Sequence, residues 1–217
     1  MKSSKQLLTF IAAVSFLDTA AALAAHVDMN DPRRALGRED DVRIDAQLLQ
    51  DTVSSGSTIG VTYQVENLTS APIAIADKVC DVSFNADDQQ VVVSIGSEVP
   101  TNGEMPKLVT IAPGEKKTLS AGGLVRIASV AGRSRFLPTP HAVLIKVNIL
   151  RDLKPFLALI AQQAGATTPV ALSDEQFEKW MESNDTIFLN TIPVRYDAST
   201  RGSAATDASR AAANGTF

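Results

Sequence analysis

The chain has 217 residues, 45 % of them hydrophobic, with a net charge of −4 and a single cysteine, Cys80. That composition supports a packed core, rules out an intrachain disulfide, and gives no electrostatic case for nucleic acid or an anionic membrane surface. No transmembrane segment is expected in the mature chain, because the longest apolar run falls well short of about 20 residues.

That run lies at the start. Lys2 and Lys5 form a positive n-region, Leu7 to Leu17 an apolar h-region, and Ala22-Leu23-Ala24 an A-x-A cleavage pattern. Residues 1–24 therefore read as a secretory signal peptide, with mature Ala25. No cysteine follows for a lipoprotein anchor, and no twin arginine precedes the h-region. The expected location is periplasmic or secreted. The lone cysteine favours a bacterial source, since exported eukaryotic domains of this size often carry disulfides. Removing residues 1–24, which carry Lys2, Lys5 and Asp18, leaves about 190 residues and a charge of about −5.

Residues 25–41 are charged and lack a sustained apolar period, which predicts a flexible arm. Val42, Ile44, Ala46 and Leu48 then alternate with polar residues, the signature of a half-buried strand. Ser54 to Ser57 forms a turn cluster. Ile59, Val61, Tyr63 and Val65 repeat the alternation until Asn67 to Pro72 interrupts it, and Ile73 to Ala76 restarts it. Further strands are predicted at Val79 to Phe84, Val91 to Ile95, Lys107 to Ile111 and Lys117 to Ile127. Asn85 to Asp88 reads as a turn, Gly96 to Pro106 as a long loop, and Ala112-Pro113-Gly114-Glu115 as a turn with proline fixing φ. Ala142 to Leu150 is the strongest β run.

Two helices follow, about residues 153–163 and 174–183. Leu153, Phe156, Leu157 and Ile160 have helical spacing in the first, which Gly165 to Pro169 ends. Ser173-Asp174-Glu175-Gln176 is a capping box for the second. Phe177, Trp180 and Met181 share one face of it, which predicts a helix docked on the sheets, or else a hydrophobic face for a partner. Thr186 to Tyr196 is predicted as a final strand, with Pro193 placing it at an edge. Residues 197–217, rich in Ala, Ser, Thr and Gly, read as a disordered tail.

Short strands with turns at regular spacing predict a mainly β, antiparallel sandwich over residues 42–196. In residues 42–150, VTYQVENLTSAPI followed by VTIAPGEKKTL resembles bacterial immunoglobulin-like β-sandwich domains. The first domain of periplasmic pilus chaperones has similar phrasing; that resemblance implies assembly-chaperone activity through an exposed sheet edge. Those chaperones continue into a second sandwich, for which this chain has no counterpart pattern.

The catalytic residue types do not assemble into a motif. No G-x-S-x-G elbow accompanies His26 or His141, the only histidines. Cys80 lies in a predicted strand, where a buried inert thiol is the usual state, although pairing with His141 would activate it. Asp40-Asp41 and Asp87-Asp88 read as turn and linker acids. Arg126, Arg133, Arg135, Lys116 and Lys117 form a local basic cluster, read as solvated loop and strand-end charges, with no Walker loop nearby. Three N-x-[ST] sequons begin at Asn67, Asn184 and Asn214; in a eukaryote they would mark surface sites. No catalytic residue, cofactor or metal site is assigned.

One metal alternative depends on the scissile bond. Cleavage after Ala25 would make His26 the mature N-terminus, able to offer amine and imidazole to copper, with His141 as second imidazole. Copper-dependent polysaccharide monooxygenases are similar in having a signal peptide, an N-terminal histidine and an immunoglobulin-like sandwich. The expected function is instead a non-catalytic exported module that binds another protein or a cell-envelope component.

Overall fold

The computed structural model describes residue 27 and residues 30–127, 138–164 and 170–198. Residues 1–24, read from sequence as a signal segment, His26, Arg133, Arg135, residues 165–169, Asn214 and the tail beyond residue 198 lie outside the described residues. Strands make up 48 % of the described residues and helices 15 %, so the fold is mainly β.

The first sheet joins β1 (Arg34–Glu39), β2 (Val42–Leu48), β4 (Thr58–Asn67) and β10 (Lys116–Leu124) in the order β1-β2-β4-β10, all antiparallel. The alternation read from the sequence is what the sheet uses. Val42, Ile44, Ala46, Leu48, Ile59, Val61, Tyr63 and Val65 are all fully buried on its inner face.

The second sheet joins β6 (Cys80–Asn85), β7 (Gln90–Ile95), β11 (Ala142–Leu150), β5 (Ile73–Ile75) and β9 (Val109–Ile111). Its central pair, β7 and β11, is parallel; its other pairs are antiparallel. On the far side of β11 lie β13 (Asn184–Phe188) and β14 (Ile192–Pro193). Val91, Val93, Ile95, Val143, Ile145, Val147 and Ile149 face inward and share one core with the first sheet. At about 25 cal/mol per Å² of apolar surface, that shared core is the main stabilising feature of the fold. Two small ladders complete the strands: β3 (Thr52–Val53) with β15 (Arg195–Tyr196), and β8 (Glu104–Met105) with β12 (Val170–Ala171).

A second, smaller core closes one end. A short 3-10 turn at Lys154–Phe156 leads into α1 (Leu157–Gln163), and α2 (Asp174–Ser183) follows β12. Met105, Leu150, Leu153, Phe156 and Trp180 pack together beneath them. The Trp180 ring meets Phe156 edge-on at 5.7 Å. The capping box forms as predicted: Gln176 N donates to Ser173 Oγ at 3.2 Å, and Ser173 N donates to Gln176 Oε1 at 2.9 Å.

Four expectations need correction. The sheets are not wholly antiparallel, because β7 and β11, distant in sequence, run parallel. Residues 34–39 are not flexible arm but the strand β1, paired along its length with β2 through a two-residue turn. Asp40 and Asp41 both take positive φ there (41° and 61°), the geometry of a type I′ hairpin. The charged, non-alternating sequence hid this strand because its outer face is made of ion pairs: Arg34 and Arg43 both reach Asp45, at 2.9 and 3.2 Å. The predicted single final strand is instead β13, β14 and β15. The first helical segment opens as a 3-10 turn, with Pro155 in its first positions.

The two sheets also meet along one side. Asn190 N donates to Leu36 O at 3.0 Å, and Leu36 N donates to Asn190 Oδ1 at 2.5 Å. Arg151 reaches the Glu39 and Asp40 carbonyls at 3.3 and 3.2 Å while pairing with Asp185. The outer edge of β1 is thereby occupied by the chain's own groups.

Candidate functional site

The outward side chains of β6, β7 and β11 form the floor of an open groove of about 340 Å³. The strand registers align Asp81, Ser94 and Lys146 in one row across the sheet, and Ser83 with Val92 in the next. Residues directly opposite across a ladder point to the same face, so this row presents a carboxylate, a hydroxyl and an ammonium side by side. Phe188, 60 % exposed, extends the row beyond Lys146. Gly96 to Val99 and Thr101 make the wall.

The wall is held from behind by buried polar groups. Asn148 is almost fully buried on β11. Its Nδ2 donates to Ile95 O at 3.1 Å, Gly96 O at 3.3 Å and Ser94 Oγ at 3.2 Å, while its Oδ1 accepts from Thr186 Oγ1 at 2.7 Å. The Ser97 carbonyl accepts both the Trp180 indole N–H at 3.3 Å and Asn184 Nδ2 at 2.7 Å. Glu98 leans from the wall onto Lys146 at 3.0 Å. A buried, fully used amide of this kind fixes the backbone it bonds. Asp81 has no ion-pair partner among the described residues.

The residues singled out from sequence are spread over the molecule. Cys80 is half-buried opposite Ile95, and burial pushes its thiol up to about 11, with the Asp81 charge adding to the effect. His141 is exposed, and its backbone N–H donates to Gln89 O at the other end of β7. The length of β7 separates the two by roughly 20 Å, so they form no thiolate pair. Tyr63 is buried near Cys80 and Asp77, and burial raises its phenol far above the usual range. Both groups are held protonated near neutral pH.

Asp87 and Asp88 sit in the β6–β7 turn, where Asn85 Oδ1 accepts the Asp87 N–H at 3.1 Å. Lys116 pairs with Glu66 at 3.1 Å, Lys117 with Glu115 at 3.7 Å, and Arg126 is exposed beyond β10. On the α2 face, Trp180 is buried while Met181 remains 44 % exposed. Two of the sequon asparagines are engaged inside the fold, Asn67 fully buried and Asn184 half-buried. Asn67 donates to Ala71 O and Ile111 O, and Asn184 is the residue that holds Ser97.

Among the described residues, no group of three or more His, Cys, Asp or Glu side chains could hold a metal ion. Among them too, no helix is long and apolar enough to cross a membrane. No family model, curated protein or solved structure matches the chain.

Sequence reading missed the groove because its parts are single polar residues on three separated strands. Alternation in DVS points Asp81 and Ser83 outward, whereas VVVS and LIK are apolar runs, and only the strand registers place Ser94 and Lys146 on that face.

Proposed function

We propose that the protein is an exported, non-catalytic module of immunoglobulin-like sandwich architecture that binds another protein or a cell-envelope component through the β6–β7–β11 groove. The observation that carries this reading is the wall at Gly96 to Val99. A buried asparagine, a buried tryptophan and a second asparagine are all spent on holding the buried start of this loop, Gly96 and Ser97, from which Glu98 and Val99 project exposed. Preorganisation of that kind lowers the entropic cost of binding. The export signal over residues 1–24 supports an envelope or extracellular setting, and two sheets around one core support the sandwich.

Sedimentation with washed bacterial envelopes tests the proposal. The native chain is expected to co-sediment, and Ser94→Arg, which fills the groove from its floor, to remain in the supernatant. Equal sedimentation of the two, or reproducible substrate turnover lost with that variant, would overturn it.

A further inference from the structure

The chemistry of the groove narrows its ligand. Its floor is the face of a sheet in which β7 is paired on both sides, by β6 and β11, while β6 is the terminal strand. An extended peptide gains its affinity from main-chain bonds at a free edge, and such bonds would seat it beside β6, off the floor. Recognition has to pass through side chains, so a ligand dense in its own hydroxyl and amine groups is favoured.

The charges narrow it further. The one ammonium on the floor, Lys146, is engaged by Glu98 at 3.0 Å. Two carboxylates and one paired cation repel a phosphate or a sulfate. Asp81, at the opposite end of the row, is exposed and has no ion pair among the described residues, so it suits a cation. Ser83, Ser94 and Thr101 supply hydroxyls that both donate and accept. Phe188, at the other end, offers an exposed apolar ring. The row from Asp81 through Ser94 and Lys146 to Phe188 crosses three strand spacings, about 14 Å, the length of a short oligosaccharide.

We propose that this groove binds a glycan containing a free amino sugar, with the sugar ammonium at Asp81, ring hydroxyls on Ser94 and Lys146, and the C–H face of a pyranose against Phe188. This rests on the reading of the groove as the recognition surface. The four contacts match the groups such a sugar carries: a cation, hydroxyls that donate and accept, and one apolar ring face.

The test is a ¹⁵N–¹H NMR titration of the mature chain in mildly acidic buffer, where sugar amines are protonated. The probes are the β-1,4-linked glucosamine trisaccharide, its fully N-acetylated counterpart, maltotriose and trilysine. The glucosamine trisaccharide is expected to bind with a Kd of about 1 mM or tighter, shifting the amides of Asp81, Ser94, Lys146 and Phe188. The acetylated sugar is expected to bind about tenfold more weakly. Asp81→Asn should remove that preference, and Phe188→Ala should weaken both sugars alike; both side chains are exposed, so the fold is retained. Absence of shifts with every sugar at about 10 mM, shifts centred elsewhere, or trilysine binding as tightly as the amino sugar would each overturn the proposal. If Ser94→Arg abolishes envelope sedimentation while no sugar binds, the glycan assignment fails and the module reading stands. If both assays are negative, both fail.

Discussion

A Cβ placed on Gly96 would lie 2.6 Å from the carbonyl oxygen of Asn148, whose own side chain donates to the Gly96 carbonyl at 3.3 Å. Gly96 also has φ of +82°, which L side chains rarely adopt. Gly96→Ala is therefore expected to strain the backbone and push the groove wall away from β11. A loss of about 2 kcal/mol or more in urea unfolding is the expected outcome, with NMR shifts concentrated on residues 96–99. An unchanged midpoint and an unchanged spectrum would show that the wall accommodates a methyl group.

Asn148 is the other half of that relationship. Asn148→Leu keeps the volume but leaves Ile95 O, Gly96 O and the Thr186 hydroxyl without their partner. Stranding buried polar groups costs about 1–3 kcal/mol each, so this variant should be among the most destabilising on the second sheet. Chemical denaturation measures it, with Asn85→Ala, on an exposed turn, as the comparison.

Trp180 has two roles that substitution separates. Trp180→Ala opens the small core against Phe156 and should cost about 3–5 kcal/mol. Trp180→Phe retains most of the packing but removes the donor to Ser97 O, for about 1 kcal/mol. The second variant is expected to loosen residues 97–99, read by hydrogen exchange, while the rest of the fold keeps its protection.

The thiol of Cys80 is expected to be unreactive. Its value of about 11 leaves little thiolate at pH 8, so alkylation by iodoacetamide should run roughly a hundredfold slower than for a free cysteine. The rate should then climb with pH up to about 11. The thiol is protonated near pH 7 in both the folded and the unfolded chain, so this shift adds no pH dependence to stability there. Rapid labelling at pH 7 would contradict the burial described here.

Asp31 behaves in the opposite sense. Side-chain and backbone hydrogen bonds from Arg33, and a third from Gln47 at 2.7 Å, hold its carboxyl far below the usual range. A depressed carboxylate contributes stability that is fully present above its unfolded value near 4 and is lost as pH falls through the folded value. Asp31→Asn should lower stability at neutral pH and flatten the acid limb of the curve, so that the two chains converge as pH falls below about 4. Carboxyl NMR titration checks the direction independently.

Much of this fold was readable from alternation. The bounds of β2 and β11 coincide with the predicted runs, and the α2 capping box was visible as Ser173 and Gln176. What escaped had physical causes. β1 exposes arginines and glutamate instead of an apolar stripe, and is held by Asp45 and by ladder bonds to β2. β8 and β12 have two residues each, too short to carry a period. The parallel contact of β7 with β11 joins strands distant in sequence, which local pattern cannot indicate. The groove depends on that contact, because it alone brings Ser94 beside Lys146. Asn67 and Asn184 matched a surface motif while serving as internal hydrogen-bond donors, since a sequon specifies residue type and not burial.

The claim that the β6–β7–β11 face is the recognition surface is tested by site-specific photo-crosslinking. A photoreactive phenylalanine analogue is placed at Ser83, beside Asp81 on the groove floor, or at Ser120, outward-facing on β10 of the opposite sheet. Irradiation is carried out in intact envelopes. The expected result is an envelope adduct from position 83 that disappears when Ser94→Arg is added, with none from position 120. Equal labelling from both faces, or an adduct from position 120 alone, would contradict the account.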